Sequence, residues 1–396
     1  MRTRVLLPVF SALGLASFMA CSSSSTTSPG TDGGTATDGA VGPDGASASD
    51  GGVGVDASGS DAGMSAADSG PITIGTVTVS GWEQLQANGR IASDNAGTTF
   101  AGTESAASIS AFAAGSTTAK AGPTGLGFVT LGLSWDGAGN LFAATNHTGK
   151  YDVLTVAPGG AMFGPSAFTG DATGGLYRDR GGNVYAWEQS SFAVAGKLSR
   201  TTGGSAAFTA LPAFPTVVSL NDLSSGPDGT VYAAITDTMS SSNPTVFSLP
   251  AGAAAWVGLP TEGMLIASAA TSVVADGAGN VYTMGAGGTG GSLKLAKGGA
   301  AWTALTAGPT KGIATGFSTN LVADGAGTVF CVDWDGATGF SLYTLTAGST
   351  AWTSTAITGP VYNAGTVPNH YTRLLIDAKN RLVVSIPNGF VYRSTP

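Results

Sequence analysis

The chain carries only two histidines, His147 and His370, so any acid–base or metal chemistry must be built from few candidates. Three short segments bring together the residue types such chemistry needs: "SLND" (219–222), "FSTN" (317–320) and "PNHYTR" (368–373). Asn221, Asp222 and Asn320 offer a carboxylate and amide oxygens, the hard ligands preferred by a divalent cation such as Ca2+ or Mg2+. Arg373 offers a planar, permanently charged fork suited to a carboxylate. Tyr371 and His370 add a phenol and an imidazole that titrates near neutrality. Asn221, Asp222, Asn320, His370, Tyr371 and Arg373 therefore form the candidate ligand-binding set, with Asp222 and Asn320 as its candidate metal pair. Glu188, Asp237, Asp333 and Asp335 stand in other loops. No nucleophile elbow, P-loop, HExxH or Cys-rich metal motif occurs, so no catalytic residue is assigned.

A repeat tells which elements must position these residues. "VADGAGNVYTMG" (274–285) returns as "VADGAGTVFCVD" (322–333), and five looser copies bring the total to seven. Their anchors are Gly97, Gly139, Gly182, Gly229, Gly279, Gly327 and Asn380, at intervals of 42 to 53 residues. In each copy an apolar run leads into a tight turn that ends in Gly or Asn, which tolerate a left-handed backbone. The chain then re-enters as "NVY", "TVF" or "NLF", the β-branched and aromatic composition of a strand. Asp94, Asp136, Asp179, Asp228, Asp276, Asp324 and Asp377 recur in these turns and read as turn-formers rather than catalysts. A second motif places Trp256, Trp302 and Trp352, with Phe163 and Phe208, in an outer hairpin, each aromatic packed between neighbouring units.

A period in the forties with strand-like flanks predicts propeller blades. The N-terminal "VTVSGWEQLQ" (77–86) is an outer strand without inner ones, and the C-terminal blade lacks its outer strand. Giving residues 74–86 to the last blade removes both exposed edges. The prediction is an all-β, seven-bladed β-propeller over 72–396, its ring closed by an N-terminal outer strand. Turns of the Asp-Gly type share one face. The loops between second and third strands, and the crossings between blades, share the other. The candidate set falls on that second, variable face, near the central channel, and so do both histidines. His370 reads there as a channel-facing polar residue without catalytic duty. Asp333 and Asp335, in a Gly-rich loop, read first as a turn. Arg373 is placed either to hold a carboxylate or to pair with Asp222.

The first 71 residues differ in kind. Arg2 and Arg4 precede an apolar run too short for a comfortable span, which is a targeting segment over 1–20. Residues 21–71 are a Gly-, Ser- and Asp-rich linker with seven Asp and no Lys or Arg, expected to be a disordered, self-repelling tether. The body from residue 71 onward is weakly acidic, with 14 Lys and Arg against 17 Asp and Glu. That balance argues against nucleic acid as a partner. Cys331, in the apolar stretch "TVFCVD", is expected to be buried.

Two resemblances follow. Ala20-Cys21, with the polar linker behind it, resembles a bacterial lipoprotein signal; Phe18 and Met19 depart from the usual residues there. The resemblance implies a lipid on Cys21, a membrane contact through that anchor only, and a place in the cell envelope, at the outer membrane. The blade repeats resemble NHL-type and streptogramin-lyase-like propellers, which share the D-x-x-G-N-[IVL]-[YF] hairpin. That resemblance implies architecture. Propellers serve as hydrolases, lyases, lactonases and passive platforms alike. The expected function is a module that binds a small ligand or an envelope protein on its variable face, with no cofactor evident. The alternative is a metal-dependent lyase or lactonase, which needs a divalent cation in the channel.

Overall fold

The computed structural model describes Ile74 to Pro396, apart from residues 88, 104–106, 128–129, 148–149, 169, 171, 189–195, 202–204, 206, 216–217, 238–243, 265–268, 286–290, 310–319, 335–338, 358–372 and 387–389. The targeting segment, Cys21 and the linker lie outside these residues, as do His370, Tyr371 and Asp335. The described residues form seven four-stranded antiparallel sheets. Six follow chain order from the axis outward, as blades 1 to 6 over residues 90–121, 130–165, 172–210, 218–258, 270–304 and 322–357. Blade 7 takes its three inner strands from residues 373–395 and its outer strand from Gly81–Leu85, which pairs Trp82 with Ser394 and Leu85 with Val391. The ring is thus closed as expected. The closing strand starts at Gly81 rather than at residue 74; residues 74–79 leave the sheet and lie elsewhere.

The turn anchors explain why the sequence repeats. Gly97, Gly139, Gly182, Gly229, Gly279 and Gly327 all have φ between 79° and 93°, and Asn380 has φ 58°. An ordinary side chain there would be strained. In six copies the Asp that opens the turn accepts the backbone N–H four residues on: Thr98, Asn140, Asn183, Asn280, Thr328 and Arg381, at 2.6–2.9 Å. Blade 4 departs from this pattern. Gly226 stands where the Asp would be, and Asp228 sits two residues later, exposed, accepting the Thr230 N–H at 3.0 Å.

Seven hydrophobic clusters hold the sheets together, and each fills one seam between neighbouring blades. The outer-hairpin aromatics are part of those seams. The indole N–H of Trp256 donates to Pro212 O at 2.9 Å, that of Trp302 to Pro260 O at 2.6 Å, and that of Trp352 to Ser292 Oγ at 2.7 Å. Each bond reaches back to the preceding blade or to the segment that leaves it. Phe208 meets Phe142 edge-on at 5.7 Å, and Phe163 is buried between blades 1 and 2. Burying a large apolar side chain contributes about 1.5–3 kcal/mol, so stability lies in the seams and leaves the axis open. Cys331 is a buried thiol in the blade 5–6 seam.

Candidate functional site

The axis is a channel of about 210 Å³ to which the inner strands of all seven blades contribute. Its two ends have different chemistry. At the crossing end the strands enter: Asp222, Asn320 and Arg373 line the cavity there, beside Tyr177. At the turn end the lining includes Trp135, Arg178, Arg180, Ser225 and Ile74.

Backbone bulges set up the crossing end. The inner strands of blades 4 and 5 lose register between Leu220 and Asp222 and between Ala270 and Ser272, which re-aims the side chains at those points. Asn221 then points into a seam, donating from Nδ2 to Thr236 Oγ1 at 2.9 Å and to Ala270 O of blade 5 at 2.7 Å. Asp222 is buried. It accepts the Leu223 N–H at 2.9 Å through Oδ1, and the Ser272 hydroxyl at 2.7 Å and Val273 N–H at 3.2 Å through Oδ2. Ser272 Oγ in turn accepts the Leu321 N–H of blade 6 at 2.6 Å. Asn320 clasps blade 7 with both amide atoms, donating to Leu374 O at 3.0 Å and accepting Leu374 N–H at 2.8 Å. These contacts make a hydrogen-bonded belt running from blade 4 to blade 7.

Arg373 is different. Its guanidinium lies 4.7 Å over the ring of Tyr177, so a side chain of blade 7 reaches one of blade 3 across the axis. Tyr177 OH donates to Asn221 O at 3.4 Å, which ties that platform to the belt. Burial pushes the Asp222 carboxyl up, against the Arg373 charge and the three donors, which pull it down. Arg373 therefore acts on Asp222 through its charge while stacking on the tyrosine.

The structure thus brings Asp222, Asn320 and Arg373 to one cavity and turns Asn221 away into a seam. His370 and Tyr371 lie outside the described residues, as do Asp335 and the side chains of His147 and Asp237. Asp333 is buried in the second strand of blade 6 rather than held in a loop turn. Glu188 ends the second strand of blade 3. As a metal pair Asp222 and Asn320 fit poorly: both carboxylate oxygens and both amide atoms are engaged by neighbouring backbone and hydroxyl groups. Among the described residues no group of three or more His, Cys, Asp or Glu side chains is placed to hold a metal ion.

Two arginines were not anticipated. Arg178 and Arg180 flank Asp179 in "LYRDRGG", the one copy of the repeat with cations there; that departure was the available signal. Arg180 crosses blade 4, donating from Nη2 to Ala275 O of blade 5 at 2.9 Å, while its backbone N–H donates to Ser225 Oγ at 2.9 Å. Arg178 has buried Nε and Nη2 atoms without a hydrogen-bond partner among the described residues. Burial lowers its pKa to about 10, although Asp179, Asp136 and Asp94 oppose the shift. Those carboxylates are drawn into their own turns. They balance the arginine's charge without filling its donors.

No family model and no curated protein matches the chain. Solved structures do. The chain is similar to YCF48 bound to a D1 peptide, at 14% identity and TM-score 0.55, covering 82% of this chain and 98% of that one. It is similar to virginiamycin B lyase from Staphylococcus aureus, at 11% identity and TM-score 0.56, covering 80% and 98%. A GH74 enzyme from Niastella koreensis aligns at 15% identity and TM-score 0.52, over 82% of this chain and 53% of that one. These likenesses show the fold. The chain is a seven-bladed β-propeller, an architecture that binders and enzymes share.

Proposed function

We propose that the chain is a lipid-anchored protein of the cell envelope, held through Cys21 at the outer membrane, whose propeller binds a carboxylate-bearing ligand or protein segment at the crossing end of its channel. The observation that supports the ligand reading is Arg373. It is half-buried in the channel wall, its guanidinium over the ring of Tyr177, and no hydrogen bond occupies its fork among the described residues. A guanidinium so presented offers two parallel donors to a carboxylate, and a pre-stacked side chain loses less freedom on binding. Among the described residues the neighbouring polar groups are committed to the belt, which leaves Arg373 to meet a guest. The binding of a peptide by a protein of the same fold makes a protein ligand a reasonable guest.

Thermal unfolding of the purified protein with acetate, succinate and inorganic phosphate tests the reading. A carboxylate that binds only the folded state raises the midpoint, by about 2.7 kcal/mol of stabilisation at a hundredfold excess over its Kd. The rise should vanish in Arg373→Gln and shrink in Arg373→Lys. An equal rise in Arg373→Gln would place the ligand elsewhere. Ca2+ or Mg2+ added after EDTA probes the metal-dependent lyase or lactonase alternative: a rise with one ion that Asp222→Asn abolishes would move it ahead. Lipidation is tested by labelling cells with a palmitate analogue, which Cys21→Ser should prevent.

A further inference from the structure

Residues 74–79 lie across the turn face where blades 6 and 7 meet. Exposure alternates along them, with Thr76 and Thr78 outward and Val77 and Val79 inward, the mark of an extended segment with one face covered. Ile74, Val77 and Val79 pack on the seam between blades 6 and 7, and Ile74 also reaches the channel. Three hydrogen bonds fix the register. Gly75 N–H donates to Asn380 Oδ1 at 2.6 Å, Gly75 O accepts Gly325 N–H at 3.0 Å, and Val77 N–H donates to Asp324 Oδ2 at 3.1 Å.

The receiving surface is built for this strap by departures from the repeat. In blades 2, 3 and 5 the second oxygen of the turn Asp is closed by an Asn side chain, from Asn140, Asn183 and Asn280, at 2.7–2.8 Å. Blade 6 has Thr328 in that place, which leaves Asp324 Oδ2 for Val77. Blade 7 has Asn380 where the other six copies have the anchor Gly, and its amide is what holds Gly75. The fit is also steric. A Cβ on Gly325 would collide with Ile74 O, and a Cβ on Gly75 would come within 2.8 Å of Asn380 Nδ2.

We infer that this seam is a peptide-binding site, filled in cis by residues 74–79, that takes an extended segment with glycine second and apolar residues first, fourth and sixth. Hydrogen bonds to the segment's backbone supply affinity, and the seam's contacts with alternate side chains supply selectivity. The occupant in trans is the same segment of another copy of this chain, so the site can link two molecules by exchanging straps. It is independent of the crossing-end site, and Arg373 takes no part in it.

The test uses the full-length chain and a fluorescent peptide of residues 71–80, PITIGTVTVS. In the wild type the cis strap competes at an effective concentration of about millimolar, so peptide binding should be weak. Gly75→Val spoils the chain's own strap and leaves the groove intact; it should bind the peptide roughly tenfold or more tightly than wild type. A peptide carrying Gly75→Val should not bind, and Gly325→Ala, which blocks the groove, should bind neither peptide. Should Gly75→Val misfold, the double variant Ile74→Ser, Val77→Ser weakens the strap without touching the groove. Folded strap variants that fail to bind the peptide, or bind its Gly75→Val form equally well, would overturn the inference.

Discussion

The two faces of the ring use the same kinds of polar side chain in opposite ways. On the turn face the carboxylates bond mainly within their own blades: Asp136, Asp179 and Asp276 each close the turn they open. On the crossing face the polar side chains bond between blades: Asn221 reaches blade 5, Ser272 joins Asp222 to Leu321, and Asn320 clasps Leu374. A bond made inside a repeating unit repeats with it. A bond between units depends on how each pair meets, so its residues vary from copy to copy. Variation on one face of a repeat protein therefore marks two things, seams as well as ligand sites, and only geometry separates them.

That contrast can be broken by substitution. Asp276→Ala should have the largest effect, because it strips the acceptor from Ala278 N, Asn280 N, Asn280 Nδ2 and Tyr282 OH at once. A loss of about 3 kcal/mol is expected from losing four hydrogen bonds at one buried carboxylate, with hydrogen exchange rising first in the blade 5 turn. Asn320→Ala should cost about 2 kcal/mol and act on the seam instead. Exchange should rise at Leu374, in the neighbouring blade, while the blade 6 turn stays protected. Local loosening of blade 6 alone would contradict the belt.

Asp222→Asn sharpens the comparison through pH. The folded chain holds the Asp222 proton more tightly than the unfolded chain, whose aspartate titrates near 3.8. Between that value and the raised one the native state carries more bound protons, so stability falls as pH rises. The wild type should lose stability relative to Asp222→Asn as pH increases upward from 3.8. Urea unfolding across that range measures the difference. A difference that does not change with pH would remove the burial argument for Asp222.

Much of the fold could be read from residue types because its constraints are local. A left-handed turn position admits Gly or Asn whatever the rest of the molecule does, so Gly97 to Asn380 marked the blades directly. Trp302 and its equivalents announced the outer hairpins for a similar reason: a large amphipathic ring needs both a seam and an acceptor. The site was less legible. Polarity near the axis singled out Asn221, Asp222 and Asn320, but residue type does not say whether a polar group faces a ligand or the next blade. The strap was read as part of a strand because its partners, Asp324 and Asn380, lie 247 and 305 residues away. Arg178 and Arg180 were passed over inside a turn motif that repetition had marked as structural.

Pairing the first strand of the ring with the last has a consequence for how the protein comes into being. Gly81 meets Thr395, and Trp82 meets Ser394. At a ribosomal pace of about 5–20 residues per second, Gly81–Leu85 waits roughly a quarter of a minute to a minute before its partner has been made. Blades 1 to 6 can form in the order they emerge, each laid against the one before. The seventh cannot, and the ring keeps two open edges until residues 391–395 have been made. A chain cut short at residue 391 would lose the strand on which closure depends, and a stop there should be as damaging as one far upstream.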